Sequence, residues 1–206
     1  MSRQSEVAQS EAVRRYARAL AHFGRRVFQV AEDQWPLPTP CTEWSVRDVV
    51  NHLVSEQLWV PELLAGATVQ EVGDRFDGDV LGSDPAATWS AAEAAACDAF
   101  AVLAEGGGLD RTVHLSYGDT SALAYCRQMT SDATVHAWDL TRALGGHARL
   151  PEDLVEAALA EVTPYAHALS ATGLFAPAVE VAPGASRQTE LLALLGRRTG
   201  WRPPGA

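Results

Sequence analysis

The chain has 206 residues, of which 47% are hydrophobic, and it carries a formal net charge of −10 at pH 7. Its 16 Lys and Arg residues are scattered, so no basic face is expected that could neutralise nucleic-acid phosphates. No stretch approaches the roughly 20 apolar residues of a membrane span, and the first 20 residues lack the apolar core of a signal peptide. The three cysteines have no CxxC spacing, which favours a reducing compartment. We therefore expect a cytoplasmic protein without nucleic-acid or membrane partners.

The first predicted helix spans about residues 6–31, where apolar side chains recur at helical spacing. The connector DQWPLPTPCTEW follows, and its prolines prevent the helix from continuing. The second helix has the clearest start signal, because Ser45 is a good N-cap and Asp48 stands at the partner position of a capping box. This helix is predicted to end near Gly66.

The third helix is predicted from Pro85 to Ala104, and a short strand around residues 111–115 follows it. The fourth runs from about Ser121 to Leu144, where two glycines end it. A fifth helix begins near Pro151, and the C-terminal sequence RQTELLALLGRR adds a further helical segment. Long amphipathic helices joined by connections of moderate length are typical of an all-α bundle. We predict that the whole chain, residues 1–206, forms one such domain.

Three side chains have the chemistry and spacing of a metal site. Asp132 and His136 are four residues apart on the fourth helix, so both leave the same face. His52 lies at the edge of the apolar face of the second helix, and the three groups would converge if these helices are neighbours. Two imidazoles and one carboxylate suit Zn, Ni, Fe or Co and leave coordination positions open. By spacing alone, a single histidine near an apolar face such as His52 is more often a core residue than a ligand, and Asp132 and His136 could form a common solvated i,i+4 pair.

Four segments carry a resemblance to a known family: TPCTEWSVRDVVNHLV, RFDGDVLGSDP, DATVHAWDLTRALG and LLALLGR. In this order they resemble actinobacterial metal-binding proteins related to the N-terminal domain of the mycothiol-dependent maleylpyruvate isomerase, within the DinB-like group. The resemblance covers nearly the whole chain. It implies a DinB-like four-helix bundle with extra C-terminal helical segments that holds a divalent metal through His52, Asp132 and His136. The carboxylate is Asp here where the isomerase has Glu, which gives a shorter arm.

The resemblance also implies a reaction. In the isomerase, mycothiol adds to an unsaturated acid, permits rotation about the former double bond, and leaves. The chain is accordingly interpreted as a metal- and thiol-dependent isomerase or S-transferase that acts on a small electrophile. Zinc is the first choice of metal, with nickel or iron as alternatives, and mycothiol is the candidate thiol. A non-catalytic metal-binding module and a metal-dependent hydrolase remain alternative functions, and a homodimer is left open.

Two further residues are candidates for catalytic roles. Glu56 lies one turn beyond His52 and could bond a ligand histidine or a metal-bound water, or take the proton of the thiol. An exposed or Arg-paired glutamate is an equal alternative. Arg75 stands in the segment that resembles the family's RFDGD sequence and could anchor a substrate carboxylate. A salt bridge of Arg75 with Asp77 or Asp79 is the alternative.

The surroundings of His136 give one more expectation. Asp139 lies three residues beyond it and could either orient its ring or pair with Arg142, and a structural role is favoured. Trp138 is expected in the core, and Cys41, just before the second helix, is expected to be buried and inert.

Overall fold

The computed structural model of the chain describes residues 3–166 and 176–203. The helices of this part of the chain are α1 (Arg3–Val27), α2 (Val46–Leu64), α3 (Val69–Val72), α4 (Pro85–Glu105), α5 (Ala122–Ala143), α6 (Glu152–Val162) and α7 (Arg187–Leu194). Strands β1 (Thr112–Leu115) and β2 (Gly118–Ser121) form an antiparallel hairpin between α4 and α5. Within the described residues, no helix is both long enough and apolar enough to cross a bilayer.

Four of the long helices form a bundle. Helix α1 packs against α4 and α5, and α2 packs against the same two helices from the other side. Buried aliphatic and aromatic side chains fill the space between them. Helix α6 packs on α5, and α7 packs on α6. The prediction of an all-α four-helix bundle with extra C-terminal helical segments is confirmed, and α2 and α5 are neighbours as the candidate site requires.

Local signals fix the ends of the two helices that carry the candidate ligands. At the start of α2, the Ser45 hydroxyl accepts the Asp48 N–H at 3.2 Å, and the Asp48 carboxylate accepts the Ser45 N–H at 2.8 Å, as the sequence predicted. Ser121 caps α5 in the same way by accepting the Ala124 N–H at 3.1 Å. After α5, Gly145 adopts a φ of 75°, a left-handed conformation that ends a helix and favours glycine.

Three elements differ from the sequence prediction. Helix α1 ends at Val27 rather than near residue 31, and a short 3₁₀ turn at Glu32–Gln34 follows, because the Gln34 side chain accepts the Ala31 N–H at 3.0 Å. Helix α3 was not predicted, although Thr68 caps it by accepting a backbone N–H. Strand β1 was predicted, but its partner β2 was not, since glycine and aspartate are depleted in strands.

A glycine in α1 permits a close contact between α1 and α4. Trp89 is fully buried against Phe23, with ring centroids 4.7 Å apart. A Cβ on Gly24 would lie 2.5 Å from the Trp89 indole nitrogen, well inside the van der Waals contact distance of carbon and nitrogen.

Replacing Gly24 with alanine is therefore expected to lower the free energy of unfolding by about 1–3 kcal/mol through overpacking. This loss would come in spite of the roughly 1 kcal/mol by which alanine favours a helix over glycine. Urea unfolding of wild type, Gly24→Ala and Gly200→Ala measures it, since a Cβ on Gly200 meets no atom within 4 Å. A Gly24→Ala protein as stable as wild type would contradict this account of the α1–α4 contact.

Candidate metal centre

The three predicted ligands lie together between α2 and α5. The His52 Nε2 atom is 3.3 Å from one oxygen of Asp132, and the His136 Nε2 atom is 3.4 Å from the other. The two imidazole rings meet edge to face with centroids 5.1 Å apart. One ligand atom from each residue can be chosen so that all lie within 4.8 Å of one another. We call these three residues the His–Asp–His cluster.

The cluster is closed on one side and open on the other. The His136 side chain is 5% exposed, whereas those of His52 and Asp132 are 28% and 25% exposed. Burial favours a neutral Asp132, but the nearby charges of His136 and His52 outweigh it and hold the pKa of Asp132 below its ordinary value. Burial likewise lowers the pKa of His136, but the carboxylates of Asp132 and Asp139 raise it to about 9. Asp132 is therefore ionised and His136 protonated at neutral pH when no cation is bound.

The donor set fits a divalent cation. The Asp132 Oδ2 atom is buried and has no partner with hydrogen-bond geometry within the described residues, which is a costly state for an ionised carboxylate. Two imidazole nitrogens and one carboxylate are the donor types that zinc, nickel and iron accept in proteins. Metal ligation requires a neutral imidazole, so a cation would replace the proton that His136 holds.

An aromatic side chain covers both imidazoles. The Trp44 ring lies 5.0 Å from the His52 ring and 5.8 Å from the His136 ring, and it is nearly parallel to the latter, at 20°. Trp44 directly precedes the N-cap of α2, a position whose apolar residue ordinarily packs against the first turn of the helix. The sequence did not predict the contact of Trp44 with the histidines, because that contact exists only when the folded chain places α5 beneath Trp44.

The carboxylate of Asp139 supports His136 from behind. Its Oδ2 atom is 3.0 Å from the His136 Nδ1 atom and 3.0 Å from an Arg197 guanidinium nitrogen. Asp139 is fully buried, which favours its neutral form, but the Arg197 charge and His136 outweigh burial and lower its pKa. Asp139 therefore contacts His136, as expected if it orients that ring, which is the first of its two predicted roles. The other predicted partner, Arg142, donates to the Trp201 carbonyl instead.

Glu56 stands beside the His–Asp–His cluster without joining it. Burial raises the pKa of Glu56, and the nearby charge of His52 only partly offsets this effect. Among the described residues, no hydrogen bond joins Glu56 to either imidazole, so the predicted bond to a ligand histidine is not formed. A carboxyl group with a raised pKa at the edge of a polar site is suited to proton transfer.

The structure does not bring Arg75 to the cluster. Its guanidinium pairs with Glu62 at 2.6 Å and lies 5.7 Å from the centre of the Phe76 ring. Glu62 follows His52 by ten residues on α2, which places it about 15 Å further along the helix. The alternative salt bridge with Asp77 or Asp79 is also wrong, since the partner of Arg75 is Glu62.

The fold and the site together define a class, an all-α four-helix bundle with a His–Asp–His cluster between two of its helices. The profile of the mycothiol maleylpyruvate isomerase N-terminal domain family matches residues 16–141. The chain therefore belongs to this family, which confirms the resemblance read from the sequence.

Individual proteins agree with this assignment. The uncharacterized protein MT0763 of Mycobacterium tuberculosis strain CDC 1551 / Oshkosh is 32% identical over 145 residues, which are 70% of this chain and 74% of the relative. The uncharacterized protein Rv0738 of M. tuberculosis strain H37Rv matches with the same identity and coverage. A crystal structure of the mycothiol-dependent maleylpyruvate isomerase superposes with a TM-score of 0.50 at 16% identity, covering 79% of this chain and 72% of that one. At this identity the superposition supports the fold alone.

Proposed function

We propose that the chain binds one divalent cation through His52, Asp132 and His136. The observation that carries this proposal is the convergence of their ligand atoms within 4.8 Å of one another. Zinc is the first candidate because it takes imidazole and carboxylate ligands without a demanding geometry, and nickel and iron are the alternatives. The short arm of Asp132 keeps its carboxylate between the two imidazoles, where both of its oxygens face a nitrogen.

We further propose that the chain is a metal- and thiol-dependent enzyme, an isomerase or S-transferase that acts on a small electrophile. A bound divalent cation would lower the pKa of a coordinated thiol and so supply a nucleophile at neutral pH. The family supports a thiol of the mycothiol type, since its name and that of the superposed enzyme both refer to mycothiol. A small molecule can approach from the side of His52 and Asp132, which is the exposed side of the cluster.

Other side chains near the cluster have separate roles in the proposed reaction. Asp139 holds the buried His136 in place, and Trp44 covers both imidazoles and excludes water from one side. Glu56 accepts the proton of the thiol on its carboxylate, because its raised pKa brings it closer to the working pH. Arg75 takes no part in this proposal, because Glu62 holds it away from the cluster.

The dependence of turnover on a thiol tests the proposed reaction. Zinc-loaded protein is assayed with maleylpyruvate, with and without mycothiol, and the isomerised product is followed. We expect turnover only when both zinc and the thiol are present. Hydrolysis of the substrate without thiol would instead favour a metal-dependent hydrolase. Zinc binding with no effect of mycothiol on any spectrum or rate would favour a non-catalytic module.

Replacing Glu56 with glutamine is expected to lower kcat by roughly 10²–10⁴-fold, the usual range for a lost general base, while zinc content stays at the wild-type level. Glutamine keeps the shape of the side chain but cannot take a proton. The matched control is Glu62→Gln, which changes an exposed glutamate on the same helix. Steady-state kinetics on zinc-loaded proteins measures the effect, and an unchanged kcat in Glu56→Gln would remove this residue from the mechanism.

A further inference from the structure

A buried arginine reaches the cluster from the C-terminal segment. Arg197 follows α7, outside residues 16–141 that match the family profile. Its guanidinium is 3.0 Å from Asp139 and also 3.8 Å from the Cys41 sulfur. Burial raises the pKa of the Cys41 thiol to about 11, so this sulfur is not a competing anion at neutral pH. Asp139 is therefore the charged partner of Arg197 in these contacts.

The turn after α7 aims Arg197 inward. Gly196 adopts a φ of 77°, and its N–H donates to the Ala193 carbonyl at 3.0 Å. The Arg197 N–H donates to the Leu192 carbonyl at 2.8 Å, which completes the pair of bonds that ends many helices at a glycine. A Cβ on Gly196 would lie 2.6 Å from the backbone oxygen of Ala176, so both the turn and the packing require glycine here.

We propose that Arg197 is a positioning residue of the metal centre, acting on His136 through Asp139. The inference rests on the proposed metal site. The same Asp139 oxygen is 3.0 Å from both the guanidinium and the His136 Nδ1 atom, so the arginine fixes the carboxylate that the imidazole faces. A carboxylate held beside Nδ1 in this way fixes the orientation of the ring in which Nε2 faces Asp132, where the cation would bind.

Loss of Arg197 would change the cluster rather than only the C-terminal segment. Asp139 is fully buried, and a buried carboxylate that loses its cationic partner turns toward another donor. That change weakens its hold on the imidazole. The adjacent Arg198 is exposed. Comparing substitutions at these two neighbouring positions therefore distinguishes the loss of a buried charge from the loss of a surface charge.

Zinc affinity tests the inference. Competition with a chromophoric chelator is measured for wild type, Arg197→Met, Arg197→Lys and Arg198→Met. We expect roughly ten- to hundredfold weaker binding in Arg197→Met, the range seen when a partner of a ligand histidine is lost. Arg197→Lys keeps the charge but not the planar fork, so it should lose roughly two- to tenfold. Arg198→Met should bind as wild type does.

The visible absorption of the cobalt-substituted proteins separates positioning from anchoring. If Arg197 positions the site, the Co²⁺ spectrum shifts in Arg197→Met because the ligand field changes. Wild-type affinity and an unchanged spectrum in folded Arg197→Met would overturn the inference and leave Arg197 as an anchor of the C-terminal segment. Should Arg197→Met not fold, wild-type affinity in Arg197→Lys overturns it. Failure of wild type itself to take up zinc would refute the proposed function, and with it this inference.

Discussion

Replacing His52 with alanine is expected to abolish stoichiometric zinc uptake while helix content stays at the wild-type level. His52 supplies one of the three ligands, yet it is the most exposed of them, and its described contacts are with Asp132, Trp44 and His136. Its removal opens no cavity in the bundle core. We expect zinc affinity to fall at least about a thousandfold, well beyond the ten- to hundredfold cost of losing an outer partner.

Chelator competition and circular dichroism measure this effect. His114→Ala is the matched control, since His114 is a partly exposed histidine that pairs with Asp119 on the β-hairpin and is not a member of the cluster. The control should bind zinc as wild type does. Zinc retained at wild-type affinity in His52→Ala would contradict the assignment of this ligand.

Replacing Asp139 with leucine is expected to lower the free energy of unfolding of the metal-free protein by about 3–5 kcal/mol, the cost of breaking a buried ion pair from one side. Asp139 and Arg197 have side-chain exposures of 0% and 7%. The substitution keeps the branching and the number of heavy atoms of the side chain but leaves a buried guanidinium and a buried imidazolium facing apolar methyl groups. Urea unfolding of metal-free wild type and variant measures the loss.

The double variant Asp139→Leu/Arg197→Met provides the internal control. It removes both charges of the Asp139–Arg197 pair, so the cost of burying the guanidinium without its carboxylate disappears, and its loss of stability should be smaller than the sum of the two single losses. Additive losses would mean that the two residues do not act as a pair, and would also weaken the proposed route from Arg197 to His136.

Local signals made the ligand-bearing helices predictable. The Ser45 capping box is encoded within four residues, and the structure has it where the sequence placed it. The sequence also predicted the start of the other helix near Ser121, whose hydroxyl caps α5 in the structure. The spacing of Asp132 and His136 guarantees a shared face on any helix. Predicting that His52 lies beside Asp132 and His136 also required knowing that α2 and α5 are neighbours. The family resemblance supplied that information.

Contacts between distant segments were not predictable in the same way. Arg197 is 58 residues from Asp139 in the chain, and no periodicity connects them. Trp44 has the sequence position of a residue that packs on its own helix, and its stacking on His136 depends on how α5 lies beneath it. For Arg75, sequence proximity suggested Asp77 or Asp79, whereas the path of the loop along α2 presents Glu62.

The most direct test of the central claim is the metal content per chain, measured by elemental analysis on wild type and His136→Ala purified without affinity-tag metals. We expect about one equivalent of a divalent metal per chain in wild type, with zinc as the first candidate, and loss of that metal in His136→Ala. That result would justify the search for thiol-dependent reactions. Wild type that holds no metal, even after reconstitution, would contradict the account and leave the His–Asp–His cluster as a structural feature of the bundle.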